Sequence, residues 1–143
     1  MNIAQLLKAK GRAVTTARPD AKLLDIVTSL ASKRIGAIVI VGENGELAGI
    51  ISERDVIRAL AKSSETVLED SASKHMTREV VACQKSTTID EMMELMTQGR
   101  FRHVPVIEEG ALIGIISIGD VVKNHIAEVE MEVTAMRGYF ATG

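Results

Sequence analysis

One stretch of this chain occurs twice, and an internal repeat limits the possible folds more than any other feature of the sequence. Residues 49–57 have the sequence GIISERDVI, and residues 114–122 have the sequence GIISIGDVV. Upstream of each motif, residues 34–41 align with residues 100–107 in the same order. The second copy is one residue shorter in the intervening turn, where a deletion costs least. The sequence therefore predicts a duplicated structural unit.

Each copy is predicted to begin with a short strand followed by a helix. The strands are placed at residues 14–16 and 80–82, which are short and mostly apolar. The helices are placed at residues 22–32 and 88–98, where apolar residues recur at steps of three and four. This spacing gives each helix a single apolar face that can cover a sheet.

A hairpin and a second helix complete each copy. In the first copy, β-branched runs at residues 37–41 and 47–51 flank an Asn-Gly pair at residues 44–45, which is a strong hairpin signal. The second helix is predicted to begin at Ser52 in the first copy and at Ser117 in the second. The predicted order of each copy is strand, helix, strand, strand, helix.

The two copies are expected to pack against each other, because one copy alone is too small to bury its faces well. Uniformly apolar strands such as residues 38–41 indicate sheets that helices largely cover. The predicted fold class is α/β, with two tandem repeats related by a pseudo-twofold axis. We place the first repeat, with a short N-terminal helix, in residues 1–66, and the second, with an extended C-terminal helix, in residues 67–143.

An apolar stripe continues beyond the second copy and predicts that the last helix is long. Its members alternate steps of four and three residues, as in a heptad seam: Val122, Ile126, Val129, Val133, Met136 and Phe140. Two interpretations stay open at this point. The stripe packs on its own module, against Ile3, Leu6 and Leu7, or it forms a homodimer contact. Gly138 is predicted to end the helix.

Composition argues against several classes of function. The net charge is −2 and charges of both signs are mixed along the chain, unlike the basic stripe of a nucleic-acid-binding protein. No apolar run approaches the roughly 20 residues that cross a bilayer, and the start lacks the apolar core of a signal peptide. The single cysteine, Cys83, fits a small core residue in a reducing compartment. We therefore expect a cytoplasmic protein.

Metal and cofactor chemistry find no support in the residue spacing. His75, His103 and His125 lie far apart, and no His-x-x-x-His or Cys-x-x-Cys pair is present. The chain also has no Walker loop and no Gly-x-Gly-x-x-Gly fingerprint. We expect neither a metal site nor a catalytic cofactor.

A Ser-x-x-Asp motif stands at the start of the second helix in each copy, as Ser52 to Asp55 and Ser117 to Asp120. One interpretation is purely structural, because a serine N-cap followed by an acid is a capping box that satisfies backbone N–H groups. The other interpretation is a ligand site. A helix N-terminus after a strand attracts anions, the hydroxyl can bond a phosphate, and the carboxylate can accept two hydrogen bonds from a vicinal diol such as a ribose.

Each copy resembles a cystathionine-β-synthase (CBS) domain, and the whole chain is similar to a stand-alone CBS pair, or Bateman module. The residues that carry the resemblance are the two glycine-led motifs at residues 49–55 and 114–120, together with residues 102–106 before the second hairpin. It covers roughly residues 10–126 and leaves the end helices outside.

This resemblance implies a nucleotide-binding role for both motifs. Asp55 and Asp120 would hold ribose hydroxyls, and Ser52 and Ser117 would lie near the ribose or the phosphate. The first strand of each copy and the first strand of each hairpin would line the adenine slot. In this chain those positions are Thr15, Thr16, Ala37, Ile38, Val80, Val81, Val104 and Pro105. AMP, ATP and NAD(H) are all ligands of such proteins, and the sequence does not choose among them.

The two copies differ where the resemblance implies phosphate contacts. The second copy has Arg102 and His103 where the first has Gly36 and Ala37. A basic pair at this place reaches the phosphates in AMP-sensing relatives, so Arg102 and His103 are candidate phosphate ligands, with Arg54 as a weaker one. The alternatives are a solvated arginine and a structural histidine. We expect two sites that are unequal in affinity or ligand.

The prediction for function is a non-catalytic sensor of adenine nucleotides that regulates a separate effector protein. The alternative is a ligand-independent interaction scaffold, in which Asp55 and Asp120 only cap helices and the apolar stripe docks a partner. The substitution Asp120→Ala distinguishes the sensor from the scaffold. Both hypotheses predict a loss of about 0.5–2 kcal/mol of stability from the cap, but only the sensor predicts lost nucleotide binding.

Overall fold

A computed structural model describes the backbone of residues 1–142 and the side chains of residues 1–62 and 66–140. Its elements alternate as the repeat predicts, with short helices ahead of each copy. In chain order they are α1 (Ile3–Lys10), β1 (Thr16–Ala17), α2 (Leu23–Lys33), β2 (Ala37–Val41), β3 (Leu47–Ser52), α3 (Glu53–Ser63), a 3-10 helix (Ser64–Glu69), α4 (Ala72–His75), α5 (Ile89–Gly99), β4 (His103–Glu108), β5 (Ala111–Ser117) and α6 (Ile118–Thr142).

The two copies form separate small sheets. In the first copy, β1 pairs in parallel with β2, and β2 pairs antiparallel with β3, with Ile38 opposite Ile51. In the second copy, β4 and β5 form an antiparallel hairpin with Val104 opposite Ile116. Both predicted hairpins are confirmed, and so is the α/β fold class.

The strand predicted at residues 80–82 is wrong. The matching position is a single parallel bridge between Cys83 and Val106, with hydrogen bonds from Cys83 N to Pro105 O and from Ile107 N to Cys83 O, both 2.9 Å. The segment ahead of this bridge has other backbone partners. Thr77 exchanges two hydrogen bonds with Ile50 of the first copy, at 2.9 and 3.0 Å. The segment therefore crosses the first copy before it reaches its own hairpin.

Each copy completes its core with the element that precedes the other copy in the chain. Ile3, Leu6 and Leu7 of α1 are at most 2% exposed and pack in the second core, among side chains such as Met92 and Val104. The first core instead takes Val67 and Ala72 from the connection between the copies: the other members are Leu23, Ile26, Leu30, Ile38, Ile40, Ile51, Val56 and Ala59. The N-terminal helix thus packs with the second repeat. The division of the sequence into two repeats after residue 66 stays a prediction.

Two glycines let these preceding elements approach the hairpins closely. A Cβ on Gly114 would lie 2.7 Å from Leu7 Cδ2 of α1. A Cβ on Gly49, the matching glycine of the first copy, would lie 2.7 Å from Met76 Sδ and 2.8 Å from the backbone oxygen of Thr77. At such distances a neighbouring atom must shift to make room for a Cβ, so the glycine that begins the repeated motif has a steric reason, stronger at Gly49, where the neighbour is backbone, than at Gly114.

Cys83 lies in the second core, as predicted. Its side chain is buried among apolar neighbours. Burial raises the pKa of the Cys83 thiol to about 11, because the thiolate loses hydration there. The group is a protonated core residue at neutral pH.

The last helix, α6, continues through Gly138 to Thr142, so the predicted helix end at Gly138 is wrong. One glycine lowers helix stability by about 1 kcal/mol but does not stop the hydrogen-bond ladder. The apolar stripe is exposed in the single chain, from 40% at Val133 to 72% at Phe140. The stripe therefore does not pack against α1, although α6 contacts α1 through Val121, which lies in the second core with Ile3, Leu6 and Leu7. None of the helices in residues 1–142, α6 included, has the length and apolar character needed to cross a membrane.

Candidate functional site

Both Ser-x-x-Asp motifs form caps at the N-termini of the helices that follow the hairpins. Ser52 donates to Asp55 Oδ2 from its backbone nitrogen at 2.8 Å and from its hydroxyl at 3.1 Å. In the second copy, the backbone nitrogen of Ser117 donates to Asp120 Oδ2 at 2.9 Å, and Asp120 N donates to Ser117 Oγ at 3.1 Å. The capping interpretation is therefore correct for both motifs, and any ligand role is additional to it.

The first motif opens onto a cavity of about 500 Å³ between the two copies. We call this cavity the first cleft. Its lining comes from the first copy and from two segments of the second: Gly36, Ile50, residues 52–55 and Arg58, then Thr77, residues 79–81 and residues 99–103. The cleft exists because the segment before the second copy pairs with Ile50 and so lies across the N-terminus of α3.

Asp55 presents one carboxylate oxygen to the first cleft. Its Oδ2 is held by Ser52, whereas Oδ1 has only long contacts, with Thr77 Oγ1 at 3.4 Å and Arg58 Nη1 at 3.9 Å. The side chain is 12% exposed, so its position is fixed by the cap. A carboxylate in this state can accept further hydrogen bonds from hydroxyl groups of a ligand.

Four arginines line the same cleft: Arg54, Arg58, Arg100 and Arg102. Within the described residues, the guanidinium groups of Arg54, Arg100 and Arg102 make no ion pair and no hydrogen bond, and Arg58 makes only the long contact with Asp55. The acids of the lining are Glu53, Asp55 and Glu79. Unpaired guanidinium groups around a cleft favour a ligand with several anionic oxygens, since each can bind two of them.

The lining of the cleft also includes apolar residues, namely Ile50, Val80, Val81 and Phe101, which we call the apolar wall. A cleft with both apolar and charged lining residues suits a ligand with a flat apolar part and an anionic part.

His103 lies between the two copies and has a lowered pKa. Burial is the largest cause, since it disfavours the imidazolium. The positive charges of Lys10 and Arg102 lower the pKa further, while Glu53 and Asp120 oppose them. A Cβ on Gly36 would lie 2.9 Å from two ring atoms of His103, so the histidine fills the space that the glycine leaves. The neutral ring can still donate one hydrogen bond into the cleft.

The second motif is in a different state from the first. Lys10, the last residue of α1, donates from Nζ to Asp120 Oδ2 and to Ile115 O, the latter at 2.6 Å. Burial alone would raise the pKa of Asp120, but hydrogen bonds from Lys10 and Ser117 and the charge of Lys10 outweigh it and lower the pKa. We call the region around Ser117 and Asp120 the second cleft, because it occupies the position in the second copy that corresponds to the first cleft.

The structure brings about half of the predicted site residues together at the first cleft. These are Ser52, Arg54, Asp55, Val80, Val81, Arg102 and His103. Ser117 and Asp120 lie at the second cleft instead. The remaining candidates do not line the first cleft, and all but two are buried in strands: Ala37, Ile38, Val104 and Pro105, with Thr15 half-buried and Thr16 exposed at β1. Binding roles for all of these residues stay predictions.

Sequence reasoning missed three groups that the geometry adds. Thr77 reaches Asp55 because the segment before the second copy pairs with the first. Phe101 supplies an aromatic wall next to Arg102. Lys10 reaches the second motif from a helix that lies outside the repeat. The sequence signal for Phe101 was its position in the segment that carries Arg102, whereas the other two depend on contacts between distant segments.

The described residues contain single carboxylate and imidazole groups but no cluster of them that could hold a metal ion. No group of three histidine, cysteine or acidic side chains in residues 1–142 is arranged to hold a metal ion. His75 instead pairs with Asp70, at 2.9 Å, and this hydrogen bond is the main cause of the lowered pKa of Asp70. The chemistry of the site is therefore argued from its carboxylate, guanidinium and apolar groups alone.

Two repeats of one α/β unit, each with a capped Ser-x-x-Asp helix facing a cleft, define a class of tandem-repeat ligand-binding modules. The model of the CBS domain matches residues 11–62 and again residues 72–126. The chain belongs to the CBS domain family and contains two CBS domains. The resemblance drawn from the sequence is confirmed.

A relative and two solved structures illustrate the membership. The chain is 33% identical to the CBS domain-containing protein CBSX3, mitochondrial, of Arabidopsis thaliana, over 99% of this chain and 72% of that protein. The crystal structure of the CBS-domain containing protein ATU1752 from Agrobacterium tumefaciens matches with a TM-score of 0.83 and 48% identity, over 85% of this chain and 91% of that one. The CBS domain protein PAE2072 from Pyrobaculum aerophilum, solved in complex with AMP, matches with a TM-score of 0.75 and 25% identity, over 84% and 89%.

Proposed function

We propose that this chain is a non-catalytic regulatory module that binds an adenine nucleotide in the first cleft and passes its state to a separate partner protein. One observation carries the proposal: a fixed carboxylate, four arginines and an apolar wall surround one cavity of about 500 Å³. A nucleotide has the three matching parts, namely a ribose diol, phosphates and a flat base. The AMP complex of the related PAE2072 supports an adenine nucleotide.

The ribose is assigned to Asp55. Its Oδ1 faces the cleft with only long contacts, and Ser52 holds the other oxygen. Two hydroxyl donors on one carboxylate give charge-assisted hydrogen bonds of about 1.5–3 kcal/mol each. Thr77 stands beside the same oxygen and can share in the diol contact.

The phosphates are assigned to Arg102 and Arg54, with Arg100 beside them. Their guanidinium groups have no protein partner among the described residues, so they need not break an ion pair to bind an anion. His103 is a weaker ligand than a charged residue would be, because its lowered pKa leaves it neutral at physiological pH. The base is assigned to the apolar wall of Val80, Val81 and Phe101.

We assign the transmission of the ligand-bound state to a partner protein to the homodimer and to α6. Binding shifts a conformational equilibrium only if the ligand prefers one arrangement, and the first cleft joins the two copies whose relative position would change. The exposed stripe of α6 provides a surface for a second copy, and we propose a homodimer. A cytoplasmic location is part of the same proposal.

A ligand-independent scaffold is the second candidate, and the exposed α6 stripe is the observation that favours it. In that case Asp55 and Asp120 act only as caps, and the arginines stay solvated. The two candidates differ in one measurable property, since the scaffold binds no nucleotide.

Thermal melting with AMP, ADP, ATP, NAD+ and NADH, each at millimolar concentration, tests the proposal. A ligand at 1,000 times its dissociation constant stabilises the fold by about 4 kcal/mol, which raises Tm by several degrees. Asp55→Ala should reduce the shift to about a third, the result of a roughly 100-fold loss of affinity. Asp90→Ala is the matched control, because Asp90 is an exposed first-turn acid of α5, far from the cleft lining. If no nucleotide changes Tm in ligand-free protein, the scaffold is the better account.

A further inference from the structure

We infer that Lys10 closes the second cleft, so that the chain binds nucleotide only at the first cleft unless this lysine is displaced. The inference rests on the proposed nucleotide binding and concerns which of the two motifs is available. It assigns to α1, which lies outside the family match, a role as a built-in plug.

The contact uses the groups that a ribose would need. Lys10 Nζ donates to Asp120 Oδ2, the carboxylate that corresponds to Asp55, and to the backbone oxygen of Ile115, at 2.6 Å. A diol on Asp120 would have to displace an ammonium group that holds two acceptors at once. The ammonium and the carboxylate are 31% and 25% exposed, so the pair is partly shielded from water.

The helix that carries Lys10 is fixed firmly. Ile3, Leu6 and Leu7 bury one face of α1 in the second core, and Leu7 packs directly on the backbone of Gly114. The N-terminus of α1 has a complete capping box between Asn2 and Gln5. A glycine with a positive φ follows Lys10 immediately, so the helix ends where the lysine reaches the cleft. The position of the ammonium is therefore a property of packed secondary structure.

Among the described residues no lysine reaches Asp55, whose ion pair is a long one with Arg58, 3.9 Å from Nη1 to Oδ1. The helix before the second copy, α4, has four residues against eight in α1. The chain that follows it brings Thr77 to Asp55, at 3.4 Å, and pairs Thr77 with Ile50 through its backbone. A neutral hydroxyl at that distance leaves Asp55 available. The same architecture thus gives one open and one occupied carboxylate.

The second copy's motif has fewer arginines that would attract a nucleotide in competition with the lysine. Gly119 stands where the first motif has Arg54, and Gly36 stands where the second copy has Arg102, whereas Arg34 and Lys123 align with Arg100 and Arg58. Asp120 therefore has a positive partner in Lys10, while the phosphates of a ligand would have two fewer basic partners than at the first cleft. This imbalance favours the plugged state.

Equilibrium dialysis with labelled AMP, and with labelled ATP in parallel, measures the number of nucleotides bound per chain at saturation. We expect one per chain for the wild type and two for Lys10→Ala. Lys8→Ala, an exposed lysine on the same helix, is the matched control and should bind one. The double variant Lys10→Ala with Asp120→Ala should return to one, which locates the new site. Lys10→Gln, which removes the charge and shortens the side chain by one atom, serves if Lys10→Ala does not fold.

Three results would overturn the inference, and they point to different errors. Two nucleotides per wild-type chain, with one lost in Lys10→Ala, would make Lys10 a phosphate ligand. One nucleotide in both proteins, each with a cooperative melting transition, would show that the lysine does not control the second cleft. No binding by any protein would overturn the proposed function as well, and only that result does so.

Discussion

The two Ser-x-x-Asp helices are alike in their local structure and different in what reaches them. In both motifs the aspartate accepts the backbone N–H of the serine, at 2.8 and 2.9 Å, while the Ser52 hydroxyl donates to Asp55 and the Ser117 hydroxyl accepts from Asp120 N. Asp55 then faces a neutral threonine and four arginines, whereas Asp120 is held by one lysine. Local sequence makes the cap, and long-range packing decides whether the cap is also a site.

The neighbours differ because each copy is completed by the segment that precedes the other copy in the chain. The connection between the copies completes the first core and crosses the first cleft. The N-terminal helix completes the second core and ends at the second cleft. A duplication therefore yields two unequal clefts whenever its two preceding segments differ in length or charge.

The largest expected effect comes from a substitution in α1, the helix that completes the second core. Leu6→Ala deletes a side chain that is 1% exposed in the second core, and such truncations cost about 2–5 kcal/mol. We expect a loss of about 3 kcal/mol in the free energy of unfolding, measured by urea denaturation. Leu24→Ala on α2, at a position 43% exposed, is the control and should cost below about 1 kcal/mol. Equal losses of unfolding free energy in the two variants would mean that α1 does not contribute to the stability of the second core.

The next test compares the two aspartates directly. Asp55→Ala should weaken nucleotide binding about 100-fold, since two charge-assisted hydrogen bonds of about 1.5 kcal/mol or more are lost. Asp120→Ala should change affinity less than about twofold, because Lys10 already occupies that carboxylate. The sequence-based expectation differs, since it predicts that Asp120→Ala abolishes binding, and the same measurement decides between the two. Isothermal titration calorimetry with the nucleotide found by melting measures both, and the reverse order would move the site to the second cleft.

The two motif glycines should differ in how well they accept a methyl group. An added Cβ at Gly114 meets the tip of Leu7, which can shift, whereas at Gly49 it meets the backbone oxygen of Thr77 as well as Met76. Overpacking costs about 1–3 kcal/mol in general. We expect Gly49→Ala to lose about 2 kcal/mol and Gly114→Ala about 1 kcal/mol, by urea denaturation. Comparable or reversed losses would show that α1 is held more rigidly than the segment at Thr77.

Much of this comparison was predictable from the sequence, because its signals are local. The hairpins, the amphipathic helices and the capped helix N-termini each depend on residues within a few positions of one another. The Asn-Gly turn and the Ser-x-x-Asp spacing are sufficient for them.

The unequal clefts were not predictable in the same way. Thr77 contacts Asp55, and Lys10 contacts Asp120, across long stretches of chain. Neither Thr77 nor Lys10 belongs to a repeated motif, and no periodicity or motif spacing in the sequence predicts their contacts. The strand expected at residues 80–82 failed for the same reason, since Thr77 pairs with Ile50 of the other copy. Contacts between repeats are set by packing, which periodicity within a repeat does not encode.

The smallest effect concerns His103, which stands where the first copy has Ala37. Its pKa is lowered from 6.5, so the unfolded chain takes up a proton at a higher pH than the folded one. The neutral form therefore contributes stability above pH 6.5 that is lost as pH falls through the folded pKa. His103→Ala should flatten this part of the profile of unfolding free energy, measured by urea denaturation between about pH 7.5 and pH 5. Lys10, Arg102, Glu53 and Asp120 all act on the ring, so a profile parallel to that of the wild type would mean that their charges offset its burial.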